Sequence, residues 1–297
     1  MQVFIMGTGR SGTSIFNKII GEHESIWSFR WETQIFSGLP ALVELIDTKN
    51  PSFLCDRFAE RCQIHLYRRE VGGRYDAGLF EIIEKDHLAL QLDQLRDMIR
   101  RSGSRSERIN ACIAFSDSIF SKAALAQDKP VWCEKTPRNL LYADQIQQLY
   151  PAARFINVIR DGREVAASIL ERKFWPIAKS KRFPSTLTFG GEITLEKAVQ
   201  YWVTLMDITE EMRGRVGQEN WLDVRLEDLG GNLSTIQMIF ERFLNVARDE
   251  QFQDKASALV RPDRADKKRW KNSRSIKEIS YMEKEMEEVL NRYGYTA

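Results

Sequence analysis

Residues 7 to 14, GTGRSGTS, gather three glycines, one arginine and four hydroxyl side chains into eight positions. A turn of this composition aims several backbone N–H groups at one point, at the positive end of the helix that follows, and so suits a phosphate. Gly9 and Gly12 let a ligand come close, Arg10 adds a full positive charge, and Ser11, Thr13 and Ser14 add hydroxyl donors. A nucleoside-triphosphate enzyme would carry a lysine where this chain has Thr13, to reach the β- and γ-phosphates, and would hold Mg²⁺ with a loop hydroxyl. Here the cation comes earlier, at Arg10, and no aspartate stands at the end of a second apolar strand as a metal partner. The loop fits an adenine nucleotide that is not consumed as a triphosphate, bound without metal.

A second stretch, RFINVIRDGREVAASIL (residues 154 to 170), again reads as a strand running into a helix, with Arg160 at the strand end and Ser168 eight residues on. A helix rises about 1.5 Å per residue, so Ser168 sits two turns in and a phosphate held by both lies alongside the helix. GRSGTS followed by a helix resembles the segment that binds the 5′-phosphosulfate in sulfotransferases using 3′-phosphoadenosine-5′-phosphosulfate (PAPS). The Arg160–Ser168 stretch resembles the 3′-phosphate site of that family. The resemblance covers residues 1 to 35, 130 to 172 and 220 to 275, and implies a P-loop-like fold, PAPS as co-substrate with PAP as product, no metal, and a hydroxyl-bearing acceptor. It departs in having glycine where some members have proline before Arg10, and HES (residues 23 to 25) where relatives carry His-Pro.

Sulfuryl transfer needs a proton acceptor, a cation for the leaving group and donors for the sulfate oxygens. For the base the sequence offers Glu32, in FRWETQIFSG, which resembles the glutamate-threonine segment of tyrosylprotein and many bacterial sulfotransferases. Set between Trp31 and apolar residues, its carboxyl is expected to be raised by desolvation, as a base requires. For the acid the choice is Lys135, in CEKTPRN, similar to the strand-end lysine of glycan and tyrosine sulfotransferases, while Arg10 balances the donor's phosphate and sulfate. In RPDRADKKRWKNSR (residues 261 to 274), which resembles the loop closing over the donor, Lys268, Arg269, Trp270 and Lys271 are candidates for the 3′-phosphate or adenine. RKFWPIAKSKRFPSTLTFGG (residues 172 to 191) reads as a long basic loop that could wall the acceptor site. His23 is read as structural, His65 and His87 as surface or packing residues.

These groups must stand on an α/β frame. Val3 to Met6, Pro130 to Cys133, Phe155 to Ile159 and NWLDVRLEDL read as strands, and helices follow Gly12, Asn139 and Arg160. The segment of Glu32 would come up as a second strand beside the nucleotide loop. About five parallel strands flanked by helices, with ligand at their C-terminal ends, is the expected architecture. Residues 36 to 126 look mainly helical, broken by the polar RSGSRSE, and form an insertion that helps to build the acceptor cavity. Leu195, Ala198, Val199, Trp202, Leu205, Met206 and Met212 make a core stripe, and residues 276 to 292 a closing amphipathic helix.

The 297 residues are read as one domain; 29% are charged and 43% hydrophobic, and the net charge of +2 provides no field to recruit nucleic acid or a membrane. No apolar run approaches the roughly 18 residues of a membrane span. Met1 runs straight into the loop with no basic leader, and four unpaired cysteines without metal spacing fit a reducing compartment. The expectation is a cytoplasmic, soluble bacterial-type sulfotransferase, a homodimer being open, acting on a saccharide or glycolipid because Trp27, Trp31 and Trp175 could stack on sugar rings. The rival readings are a P-loop-type kinase of a nucleotide or small molecule, and a non-catalytic nucleotide binder.

Overall fold

Val3, Phe4, Ile5 and Met6 are all fully buried, yet they alternate between two cores: Val3 and Ile5 face one side of a sheet, Phe4 and Met6 the other. Burial on both faces is what a parallel sheet covered by helices requires. The computed structural model describes residues 1–71, 74–171, 192–229, 233–257, 259 and 268–295. Its main sheet contains β1 (Gln2–Gly7), β2 (Ile26–Ser28), β5 (Val131–Lys135), β6 (Arg154–Ile159) and β7 (Trp221–Arg225), in the order β2-β5-β1-β6-β7. Every neighbouring pair in it is parallel. The expected five-stranded parallel sheet is present.

On one face α1 (Thr13–Gly21) buries Phe16, Ile19 and Ile20 against Val3, Ile5, Ile156 and Val158. α8 (Leu233–Ile239) and α9 (Phe252–Ser257) complete that layer. The other face is covered by α4 (Arg105–Leu125), α5 (Ala143–Leu149), α6 (Gly162–Leu170), α7 (Leu195–Val216) and α11 (Ile276–Arg292), with a short α10 (Arg269–Ser273) against α6. Its centre is aromatic: the Phe4 and Trp132 rings lie 5.4 Å apart, and Phe120 stacks on Trp132 at 5.0 Å. The α7 stripe is buried as its periodicity implies, and α11 occupies the expected span.

Between β2 and β5 come α2 (Pro51–Arg61), α3 (Lys85–Arg101) and α4, the expected helical insertion. It also contains an antiparallel hairpin, β3 (Arg69–Val71) and β4 (Arg74–Ala77), which helical periodicity could not announce. The polar break is shorter than RSGSRSE: Arg105 to Glu107 already form the first turn of α4, because Ser104 caps it and Glu107 returns to the Ser104 N–H in a capping box. β5 runs two residues beyond Cys133, so Lys135 ends the strand, and a 3₁₀ turn over Pro137–Tyr142 precedes α5. β2 is an edge strand separated from β1 by β5, so it does not lie beside the loop strand. The four cysteines are buried and unbridged, and burial pushes the Cys55 and Cys62 thiols up to about 12. Among the described residues no helix is long and apolar enough to cross a membrane, and no group of three His, Cys, Asp or Glu could hold a metal.

Candidate active site

The glycine-rich turn joins the end of β1 to α1. A Cβ at Gly7 would stand 2.6 Å from the Val158 carbonyl and 2.7 Å from Ser11 Oγ, so the strand end admits only glycine. The turn itself passes through positive φ at Gly9 (73°), Arg10 (57°) and Gly12 (91°). Arg10 tolerates a region unfavourable for a long side chain. Gly12 is the N-cap of α1 and supplies no side-chain cap, so the first N–H groups of the helix remain for a ligand. Tyr201 on α7 donates to the Thr8 carbonyl at 2.5 Å and holds the turn from the far side.

The two segments expected to bind phosphate meet. Arg10 Nε donates to Ser168 Oγ at 3.0 Å, and Arg160 donates from Nη1 to the Arg10 carbonyl at 3.3 Å. Arg10 therefore stands with Arg160 and Ser168. Arg160 is buried and pairs with Glu164 one turn along α6 at 3.2 Å. Two buried polar atoms here, Ser11 Oγ and Arg160 Nε, have no hydrogen-bond partner. Such atoms cost free energy unless something satisfies them. The start of α6 is fixed by Asp161, which accepts from the Arg163 N–H at 2.9 Å, and by Glu227, which accepts from the Asp161 N–H at 3.1 Å. Gly162 lets Trp202 close on the helix: an added Cβ would be 2.5 Å from the indole.

Glu32 and Lys135, 103 residues apart, also come together: Lys135 Nζ lies 3.3 Å from Glu32 Oε1 and 3.2 Å from Ser14 Oγ. The lysine reaches the turn from the neighbouring strand, where it pairs with Ile5. Its side chain is 3% exposed, whereas that of Glu32 is 37% exposed. Glu32 thus sits at an open rim beside a cation, not in the apolar enclosure expected from its flanks. Trp31 donates to Glu81 at 2.5 Å, with Arg30 over its ring at 5.0 Å.

Beneath this pair lies a residue that sequence reasoning missed. Glu134 is fully buried and accepts from the Thr33 N–H (3.2 Å), Thr33 Oγ1 (2.7 Å), Thr136 Oγ1 (2.6 Å) and Asn139 Nδ2 (2.5 Å). Burial pushes its carboxyl above the usual carboxylate range, against the pull of those bonds. A charged residue alternating with Lys135 on an otherwise apolar strand was the available signal.

Trp270 is buried, with the Arg163 guanidinium 4.2 Å and Lys271 Nζ 4.9 Å from its ring centre. It packs α10 onto α6, the helix of Ser168. Residues 261 to 267, the Arg269 side chain, and the basic loop 172 to 191 with Trp175 lie outside the described residues. Trp27 is core, stacked 6.2 Å from Phe29 and unavailable to a sugar. His23 is structural: it accepts from the Ser25 N–H at 3.2 Å, contacts the Ala247 carbonyl at 3.1 Å, and burial lowers its pKa. His65 is exposed, and His87 stands 3.3 Å from Lys122 on the outer helices.

A parallel sheet with a glycine-rich turn at the C-terminal end of β1, and cations arriving from the two strands on either side, defines a P-loop-like α/β protein. The family follows from comparison: a Sulfotransferase family model matches residues 2–250. The chain belongs to that family. Its fold is similar to the sulfotransferase domain of the Synechococcus PCC 7002 olefin synthase, with a TM-score of 0.60 at 14% identity, over 100% of this chain and 96% of that one. A sulfotransferase of Mycobacterium tuberculosis aligns with a TM-score of 0.51 at 13% identity, over 96% of this chain and 75% of that one. In sequence, a putative protein-tyrosine sulfotransferase of Caenorhabditis elegans is 36% identical over 92 residues, 31% of this chain and 34% of that protein. The protein-tyrosine sulfotransferase of Drosophila melanogaster is 26% identical over 147 residues, 49% of this chain and 25% of that protein. The matches span about a third or less of those relatives' lengths.

Proposed function

We propose that the chain transfers a sulfuryl group from PAPS to a hydroxyl of an acceptor, with Glu32 as base and Lys135 as acid. The observation that carries this reading is Lys135 Nζ standing between Ser14 Oγ of the turn and the Glu32 carboxylate. The residues present fit a nucleotide with two separate phosphate groups. The uncapped start of α1 and Ser14 suit the 5′ side. Arg160 and Ser168, joined through Arg10, suit the 3′-phosphate, and the orphaned Ser11 Oγ and Arg160 Nε add unmet capacity to both.

The chemistry follows from the placement. The acceptor oxygen forms a bond to sulfur as the sulfur–oxygen bond to the phosphate breaks; the hydroxyl proton passes to Glu32, and the negative charge moves onto the bisphosphate that leaves. Lys135, nearly dry, is positioned to follow that charge. Arg269, Trp270 and Lys271 are retained as candidates for the 3′-phosphate or adenine, Trp270 lying in the packing against α6.

For the acceptor, a saccharide or glycolipid hydroxyl rests on Trp31 and on Trp175, which lies outside the described residues, because Trp27 is in the core. The phenolic hydroxyl of a protein tyrosine is the second reading, favoured by the relatives' names. The test is a thermal-shift comparison of PAP with ATP–Mg²⁺, then labelled PAPS with panels of oligosaccharides, glycolipids and tyrosine peptides. Glu32→Gln should leave PAP affinity nearly unchanged and reduce turnover by roughly 10²–10⁴-fold, as for a lost general base. Stabilisation by ATP–Mg²⁺ but not PAP would return the kinase reading.

A further inference from the structure

The pair Glu32–Lys135 is assembled from two segments of different firmness. Lys135 ends β5, which is paired with β1 on one side and β2 on the other. Glu32 lies beyond β2, whose ladder ends where the Phe29 N–H meets the Cys133 carbonyl at 3.4 Å. From there to the turn at residues 42 to 45 the chain has no strand or helix of its own. Something else must set where Glu32 stands.

We infer that Glu134 is the positioning residue for this site: its buried carboxylate clamps the segment after Glu32 onto the strand end that carries Lys135. Thr33, the next residue after Glu32, gives Glu134 Oε1 both its N–H and its hydroxyl proton. The Gln34 N–H donates to Thr136 Oγ1 at 3.2 Å, and that hydroxyl donates in turn to the same oxygen. Asn139 holds the other oxygen and so fixes the direction of the carboxylate. Three consecutive ties from residues 33 and 34 therefore converge on one atom, and the side chain that supplies it flanks Lys135 on the opposite face of β5. With no exposure, Glu134 touches neither substrate. A second, independent hold acts further along, where Arg61 donates to the Gln34 and Pro40 carbonyls at 2.9 and 2.8 Å. That hold keeps the segment attached, and leaves Glu134 the task of fixing where Glu32 stands relative to Lys135, 3.3 Å away.

The inference rests on the sulfuryl-transfer reading for its kinetic consequence, but not for its structural one. Hydrogen exchange on the wild type and Glu134→Ala reads the clamp without substrate. The Thr33 and Gln34 amides should lose protection while those of β5 keep theirs, and unchanged protection at both amides would overturn the inference. With labelled PAPS and whichever acceptor the wild type sulfates, Glu134→Ala should lower kcat by about 10²-fold, the cost of a misplacement near 1 Å. PAP affinity should stay within about threefold, because β5 holds Lys135 by itself. On a Glu32→Gln background the same substitution should cost less than about threefold, since it acts through Glu32. A full loss on both backgrounds would show general damage and defeat the idea. If Glu134→Ala does not fold, Thr33→Val removes at constant volume the hydroxyl tie to Glu134, together with the Ile35 N–H bond to that hydroxyl, and Thr33→Ser restores both. Turnover should fall in the first and return in the second, and equal turnover in both overturns the inference. A wild type that binds no PAP overturns the proposed reaction instead, and leaves the exchange result to decide the clamp.

Discussion

Arg160 is asked to do two things: to pair with Glu164 inside the protein and to grip a 3′-phosphate. Replacing it by methionine tests both. The Arg160 and Glu164 side chains are only 6% and 3% exposed and 3.2 Å apart. Removing the cation leaves a buried carboxylate short of its counter-charge, which costs about 3–5 kcal/mol of stability. Arg160→Met should therefore unfold at a markedly lower urea concentration. Adding Glu164→Gln removes that carboxylate charge and should recover most of that loss. Ligand binding should not recover. A charge partner lost from a desolvated phosphate site costs about 2–4 kcal/mol, or roughly 30- to 900-fold in Kd. Titration calorimetry with PAP and AMP, which differ by the 3′-phosphate, isolates the contact. The wild type should prefer PAP strongly, and the stable double variant should bind the two almost equally. A double variant that folds and still prefers PAP as the wild type does would refute the role of Arg160.

Other consequences are as direct. Activity should survive EDTA, because Arg10, Lys135 and backbone donors carry the charge that Mg²⁺ carries in kinases; loss of turnover restored only by a divalent ion would contradict this. Gly162→Ala drives a methyl to 2.5 Å from the fully buried Trp202 indole, and should cost about 1–3 kcal/mol by urea unfolding; an unchanged midpoint would be evidence against that packing. The Glu134 carboxyl is raised above its ordinary value of 4.5 by burial, so its contribution to stability is fully present below that pH and is lost as pH rises through the higher folded value. Glu134→Gln cannot titrate, so its melting temperature relative to the wild type should climb from pH 4.5 upward; a constant difference would show that Glu134 is not raised.

What could be read in the sequence was whatever the backbone decides locally. Glycine spacing placed the turn, apolar runs placed β1, β6 and β7, and the seven-residue stripe placed α7. The Arg160–Ser168 spacing was legible because one strand-to-helix turn holds both residues. The path of β2 was not, since nothing local reveals that β5, a hundred residues later, inserts between it and β1. The surroundings of Glu32 were misjudged for a related reason. Flanking apolar residues describe the chain before it folds, while Lys135 and the open rim come from elsewhere in the fold. Glu134 stayed hidden because its meaning lies in four donors, of which Thr33 is remote in sequence.

The lysine absent from the turn has a physical explanation in its replacement. Thr13 is buried at the first position of α1, with its methyl 3.3 Å from where a Gly7 Cβ would stand. The cation arrives from β5, the neighbouring strand, and still reaches the turn at Ser14. The change of origin alters what the cation can sense. A lysine on the turn would track the donor alone. A lysine on β5 shares a strand end with Glu134, whose carboxylate accepts from Thr33, and contacts the proposed base Glu32 directly. In the proposed reaction, bond breaking at the donor and proton removal at the acceptor are felt by one ammonium group, which thereby does the work of the divalent ion that spans both sides of a transferred group in metal-assisted transfer.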